Sequence, residues 1–181
     1  MAVKTFTTGE VLTASDTNTY LNNGGLVYIT GTTIGSAVSS VTVSNVFSST
    51  YDNYRVLITG GTGSGANNLA FQFASITGTV YRQLGYYQGW GSATVTDYAD
   101  GAGSTTWLAV NTSGAYMLDM LITNPYNAVK KFAVINGYNA TNQYSFPSFC
   151  DSTTSSTGFT VSLVSGTLTG GTVRVYGYRQ A

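Results

Sequence analysis

From Leu26 onward the hydrophobic positions of this chain recur every second residue, and short turn-forming clusters interrupt them. Tyr54, Val56 and Ile58 alternate with Arg55, Leu57 and Thr59, and Leu69, Phe71 and Phe73 alternate with Ala70, Gln72 and Ala74. Tyr116, Leu118, Met120 and Ile122 share one face, with Asp119 on the other, before Asn124-Pro125 breaks the run. Phe159, Val161 and Leu163 alternate with Thr160 and Ser162, and Gly170-Gly171 opens a last segment from Thr172 to Tyr178. Leu26–Ile34 and Val38–Phe47 are rich in Val and Thr, the residues that suit a pleated surface. Lys131 to Ile135 runs into Asn136-Gly137, the strongest short-range hairpin signal. With weaker segments around Tyr81, Val95 and Trp107, the pattern predicts about eight to ten short strands. No strand alternates with a helix, which excludes a parallel α/β sheet. The expectation is an all-β fold, an antiparallel β-sandwich of jelly-roll type, with other Greek-key sandwiches as the alternative.

Before Leu26 the pattern differs. Thr13-Ala14-Ser15-Asp16 reads as a variant capping box and predicts a short helix over Ala14–Leu21, stopped by Asn22-Asn23-Gly24-Gly25. Two turns are too few for a helix to stand alone in water. Phe6, Val11, Leu12, Tyr20 and Leu21 must therefore dock on something, either the chain's own β domain or another protein. The division expected is a docking segment, residues 1–25, and a β-sandwich domain, residues 26–181.

Composition narrows the function. Charged residues are 8% of the 181, against roughly 25% in an average soluble domain. Seven basic and seven acidic residues leave a formal net charge of +0. Such a surface has no positive field to draw in phosphates, so nucleic acid is not an expected partner. Few charges also favour association over solubility, which fits a chain that works inside an assembly. The N-terminus lacks the apolar run of a signal peptide, and no stretch has the length of a membrane span, so no membrane partner is expected. The single cysteine, Cys150, forms no intrachain disulfide and reads as a buried thiol. A soluble product made in a reducing cytoplasm follows.

The chain contains no histidine, which removes Ser-His-Asp and Cys-His nucleophilic machinery and every His-dependent zinc site. The glycine-rich run Gly60–Gly65 precedes a strand signal rather than the helix start that cradles phosphates, and reads as a loop. Gly101–Thr106 and Asp151–Gly158 likewise read as exposed loops. Asp97 and Asp100 form the one carboxylate pair with catalytic or calcium-binding spacing, but Asp beside Gly-rich sequence is ordinary turn chemistry. The expectation is no enzyme, no catalytic residue, no metal and no cofactor. Tyr81, Tyr86, Tyr87, Trp90, Tyr98 and Trp107 gather among Gly, Gln, Ser and Thr. Such rings suit either a sugar face or a partner surface, or they fill the core or a subunit seam. Tyr86, Tyr87, Trp90, Tyr98 and Trp107 are the candidates for glycan or subunit contact, and Trp90, set between two glycines, is expected in a core or seam.

Three blocks of the sequence carry a resemblance. The segment from Phe6-Thr7-Thr8-Gly9-Glu10-Val11-Leu12 through Thr13-Ala14-Ser15-Asp16-Thr17-Asn18-Thr19-Tyr20-Leu21 resembles an N-terminal segment found on many tailed-bacteriophage structural proteins. Leu26-Val27-Tyr28-Ile29 with Val46-Phe47-Ser48-Ser49-Thr50-Tyr51-Asp52-Asn53-Tyr54-Arg55-Val56 looks like the same group, and so does Gly170-Gly171-Thr172-Val173-Arg174-Val175-Tyr176-Gly177-Tyr178-Arg179. These blocks frame the chain, and the middle, Gly60 to Gly158, matches no motif. The resemblance implies a virion protein with a constant platform and a variable central face, and brings no catalytic residues. It implies a homotrimer by analogy, bound to a major capsid protein or a tail component. The reading placed first is a capsid decoration (cement) protein. The alternative is a tail-fibre or spike protein that binds host glycan through central aromatic loops.

Overall fold

The computed structural model describes residues 5–16, 25–109 and 112–179, and within these the side chains of Asp100, Ala102, Trp107, Leu108 and Ala109 lie outside the description. The described chain is an antiparallel β-sandwich. Its large sheet holds eight strands: β1 (Leu26–Thr33), β3 (Asn53–Thr59), β6 (Tyr81–Gly89), β7 (Val95–Gly103), β9 (Tyr116–Thr123), β10 (Lys131–Asn139), β11 (Asn142–Cys150) and β14 (Thr172–Tyr178). They lie in the order β1-β14-β3-β9-β10-β11-β6-β7. Four more strands, β2 (Ser40–Val43), β5 (Leu69–Phe73), β8 (Thr106–Ala109) and β12 (Phe159–Leu163), form the facing sheet in the order β2-β12-β5-β8. Two-residue strands β4 (Thr62–Gly63) and β13 (Leu168–Thr169) pair with each other. Among the described residues no helix is long and apolar enough to cross a membrane.

The core lies between the two sheets and takes alternate residues from each. Tyr54, Val56 and Ile58 of β3 and Leu118, Met120 and Ile122 of β9 face Phe71 and Phe73 of β5 and Phe159 and Val161 of β12. Aromatic rings join the layers. Phe47 packs edge-on to Tyr54 at 4.7 Å and stacks on Phe159 at 5.7 Å, while Phe73 stacks on Tyr81 at 6.3 Å.

Several local expectations change. The predicted helix is one turn in the described residues, α1 (Ala14–Asp16); Tyr20 and Leu21 lie outside them. The capping box forms: the Asp16 amide donates to Thr13 Oγ1 at 3.1 Å, and the Thr13 amide donates to Asp16 Oδ2 at 3.1 Å. Asn136-Gly137 is not a turn. It lies inside β10, where a Cβ on Gly137 would sit 2.6 Å from both the Met117 carbonyl and the Tyr144 ring, so glycine serves close packing here. The turn falls after Asn139, whose side-chain oxygen accepts from the Thr141 amide at 2.9 Å and the Asn142 amide at 2.8 Å. Such an Asx turn competes well with Asn-Gly. Two of the three expected loops differ: Thr62–Gly63 is the small strand β4, and Gly101–Gly103 closes β7, while Asp151–Gly158 is the loop expected, anchored by Ser156 through a 2.8 Å bond to the Ala74 carbonyl.

Buried polar groups divide into two sets. Tyr54 Oη accepts from the Ser48 amide at 2.8 Å and donates to the Ser48 carbonyl at 3.0 Å; Tyr81 Oη accepts from the Phe73 amide at 2.9 Å. Tyr54 thereby ties the segment before β3 to the sheet, and Tyr81 ties β6 to the end of β5. Tyr116 and Tyr144 are equally buried, yet their hydroxyls have no hydrogen-bond partner among the described residues. Lys131, fully buried at the start of β10, donates to the carbonyls of Val129 at 2.7 Å and of Asn127 and Ser152 at 3.3 Å. Cys150 is a buried free thiol.

Burial raises the pKa of all four tyrosines, that of Tyr116 up to about 12. Desolvation lowers that of Lys131, partly offset by Cys150. In the unfolded chain a tyrosine ionises near pH 10. Stability from the four raised tyrosines is complete below that pH and is lost as pH climbs toward their folded values. Lys131 acts in the opposite sense just below its unfolded pKa, as one group against four. Burial raises the pKa of Cys150 too, so its share of stability is lost from about pH 8.5 upward, and the melting temperature should begin to fall there and fall more steeply above about pH 10. At neutral pH, Tyr54→Phe and Tyr81→Phe should each cost about 1 kcal/mol, whereas Tyr116→Phe and Tyr144→Phe should be neutral or stabilising by about 1 kcal/mol. Urea unfolding of the four variants checks the division.

Candidate functional site

The face of the large sheet that points away from the core is organised in rows, because antiparallel register aligns residues across neighbouring strands. One row runs Met117, Tyr138, Gln143, Gln88 across β9, β10, β11 and β6; the next runs Asp119, Asn136, Ser145, Tyr86. Three gaps of about 4.8 Å make each row roughly 14 Å long. Further along the same strands Leu121, Val134 and Pro147 align, then Thr123, Phe132, Phe149 and Arg82. The face thus has a polar half with aromatic walls, next to the β10–β11 turn, and an apolar half at the other end.

The polar half forms a groove with a volume of 390 Å³, walled by Tyr86, Trp90, Tyr138 and Met117 over a floor of Asn136, Ser145, Gln143 and Asp119. Trp90 follows the end of β6 and is held in place: its indole N–H donates to the Asn139 carbonyl at 2.8 Å, and its amide to the Thr141 carbonyl at 3.0 Å. Its ring meets Tyr138 edge-on at 6.5 Å. On the floor Ser145 Oγ donates to Asn136 Oδ1 at 2.8 Å, and Gln143 Nε2 donates to Gln88 Oε1 at 3.3 Å. Asp119 is held by Arg55 in a two-point contact, Nε to Oδ1 at 2.8 Å and Nη2 to Oδ2 at 2.5 Å. That hydrogen-bonded carboxylate raises the pKa of Arg55. Both side chains are more than a third exposed, so the pair fixes geometry more than it adds stability.

The apolar half holds a second depression of 420 Å³ against Leu84, Phe132, Pro147 and Phe149. Its origin is a lapse in the β6–β11 ladder, where pairing skips from Ser145–Tyr86 to Ser148–Gln83. Pro147 sits in that gap and has no N–H to offer. Gly85 opposite takes φ +151°, and a Cβ there would lie 2.1 Å from the Ser145 carbonyl. Charged groups rim the patch: Lys130 Nζ lies 2.7 Å from Asp151 Oδ1 and 5.5 Å over the Phe149 ring.

The aromatic cluster read from the sequence is split by strand alternation. Tyr86 and Trp90 stand on the outer face; Trp90, 57% exposed, is outside the core of its own chain, so of the two places expected for it, core or seam, the core is removed. Tyr81 is in the core, Tyr87 packs against it, and Tyr98 meets the Phe146 ring edge-on at 6.1 Å. The Trp107 side chain lies outside the description. Tyr81, Tyr86, Tyr87, Trp90 and Tyr98 belong to strands β6 and β7 and their hairpin, and Trp107 to β8, not to a central loop. Tyr138, Asn136, Gln143, Ser145, Met117 and Asp119 join the site from strands far away in sequence, and only the register reveals them. Of the carboxylates considered for catalysis, Asp97 is exposed on β7 and the Asp100 side chain lies outside the description. No group of three His, Cys, Asp or Glu that could hold a metal occurs among the described residues. Of the docking residues, Phe6, Val11 and Leu12 are exposed.

No protein-family model matches this sequence, and no curated protein is similar to it.

Two substitutions test the geometry of this face. Gly85→Ala should lower stability by about 3 kcal/mol, since it combines a forbidden φ with a clash against backbone. Trp90→Ala should cost only about 1 kcal/mol, the value of one hydrogen bond, rather than the ~3–5 kcal/mol of a core aromatic. Equilibrium unfolding in urea distinguishes these outcomes.

Proposed function

We propose that this chain is a non-enzymatic structural component of a tailed-bacteriophage virion, a capsid decoration protein attached through its N-terminal segment. The observation that carries the assembly role is the outer face of the large sheet, which no other described element covers. Leu84, Leu121, Phe132 and Val134 are exposed there side by side, with Arg82, Lys130 and Asp151 at the margin. Isolated proteins rarely expose contiguous apolar patches beyond a few hundred Å², and an apolar centre inside a polar rim is the anatomy of an interface. The occupant we assign is a second copy of the chain, in a homotrimer with closed symmetry. The phage setting comes from the resemblance of the blocks Phe6–Leu21, Leu26–Ile29 with Val46–Val56, and Gly170–Arg179. Val11, 78% exposed, and Leu12 beside α1 offer apolar side chains to a partner such as a major capsid protein. Synthesis in the host cytoplasm and residence in the virion follow from this reading.

A second reading, a tail-fibre or spike tip that binds host glycan, is favoured by one observation, the aromatic-walled groove with its hydrogen-bonding floor. Gold labelling of intact particles separates the two. Label over the head is expected; label confined to the tail would overturn decoration in favour of the fibre tip, and none on particles would overturn both. Deleting residues 1–23 should leave a folded oligomer of unchanged melting temperature that no longer binds particles. Phe132→Asp should dissociate the oligomer, as light scattering would read.

A further inference from the structure

The groove beside the β10–β11 turn has a chemistry that selects its ligand class. We propose that it is a binding site for a neutral glycan, seating a hexopyranose pair along the two rows of the floor. This deepens the second reading above for its biological setting, while the binding itself belongs to the chain alone.

Three features select a neutral sugar. The first is the pairing of flat rings with side-chain amides. Trp90 and Tyr138 meet nearly at right angles, 66° between planes, and form a corner in which the C–H face of a sugar ring can pack while its hydroxyls turn to the floor. Aromatic rings with one polar end suit that division. The second is the unused hydrogen-bonding capacity on the floor. Asn136 Oδ1 and Gln143 Nε2 are engaged, which leaves the Asn136 amide hydrogens as donors and Gln143 Oε1 as an acceptor. Asp119 spends one direction of each oxygen on Arg55 and keeps further lone pairs. Donors and acceptors side by side match hydroxyl groups, which both give and accept.

The third feature is charge. The carboxylate that lines the groove, Asp119, is paired with Arg55, and the next carboxylate in the row is Asp97 opposite Tyr86, so the groove does not attract a phosphate. A peptide strand is excluded on different grounds: the groove lies in the interior of a sheet whose strands are paired on both sides, and strand addition needs a free edge. Both the volume, 390 Å³, and the few convergent polar groups among aromatic walls are those of a small-ligand site. Because Trp90 is tied to the Asn139 and Thr141 carbonyls and Asp119 to Arg55, the walls are set before any ligand arrives. That spares the ordering cost that weakens flexible sites.

The test uses the full chain and four neutral disaccharides, lactose, maltose, cellobiose and N,N′-diacetylchitobiose, with 3′-sialyllactose as the charged comparator. Two-dimensional ¹H–¹⁵N spectra are recorded during each titration. Saturable shifts of the Trp90 indole and the Asn136 and Gln143 side-chain amides are expected with at least one neutral disaccharide. Asn136→Ala and Tyr86→Ala should weaken that binding roughly tenfold, one hot-spot contact each, at unchanged melting temperature. Saturable shifts with none of the four would overturn the proposal. So would shifts that survive both substitutions, shifts centred on Phe132 and Phe149, or a preference for the sialylated sugar alone. Location on the particle is read separately by the labelling experiment, so a tail protein without sugar binding and a sugar-binding head protein are distinguishable results.

Discussion

A sheet whose side chains alternate with period two has two faces, and a partner sheet of four strands covers only one face of a sheet of eight. This inequality governs the rest of the molecule. The inner face of the large sheet can be filled by hydrophobic residues because β2, β12, β5 and β8 lie over it. Among the described residues the outer face has no such cover, yet it is not dressed with the Lys and Glu that ordinarily solvate an open sheet. It carries Phe132, Val134, Leu121 and Leu84 instead. Burying such side chains yields about 25 cal/mol per Å² of apolar surface, free energy that the proposed assembly would collect. The low charge content of the sequence and the open face are therefore one fact seen at two levels.

How hydroxyls are handled inside the sandwich shows which parts are tightly specified. Tyr54 and Tyr81 each close a connection by bonding the backbone of a neighbouring segment, Ser48 and Phe73. Lys131 does the same for two carbonyls of the β9–β10 connection, Asn127 and Val129, and for Ser152 just after β11. These polar groups are buried with their partners, so they select one arrangement of the loops. Tyr116 and Tyr144 act differently. Their rings fill space near β4 and under Gly137, and their hydroxyls contribute nothing that phenylalanine would lack. Volume, not hydrogen bonding, accounts for these two.

Much of the fold was legible in the sequence because strand periodicity is local. The alternations at Tyr54–Thr59, Tyr116–Thr123 and Phe159–Leu163 became β3, β9 and β12, and Thr13 and Asp16 formed the reciprocal cap their spacing implied. Misreadings arose where a long-range contact outweighed a local signal. Asn136-Gly137 has the composition of a hairpin turn, but Gly137 is required by the Tyr144 ring on the adjacent strand, and the turn passed to Asn139. The eight-and-four division of the strands was not legible, since no local pattern states which strands pair. The site was half legible for the same reason. Tyr86 and Trp90 stood out as aromatics among polar residues, but alternation sent Tyr81 and Tyr87 to the other face, and Asn136, Ser145 and Asp119 reached the groove only through register.

The two halves of the outer face come from one irregularity and one regularity in the same four strands. Next to the β10–β11 turn the register is unbroken, and consecutive rows present evenly spaced side chains that can match a repeating ligand. Beyond Ser145, proline removes a donor and Gly85 adopts a backbone conformation that other residues avoid, so the ladder lapses and an apolar hollow opens. A subunit needs a hollow that a neighbour's side chains can enter, and a sugar needs a flat floor with fixed donors. Separating the two along the strand makes the two proposals compatible: a copy of the chain seated over Phe132 and Phe149 would leave Trp90 and Asn136, at the far end of the same strands, open to solvent.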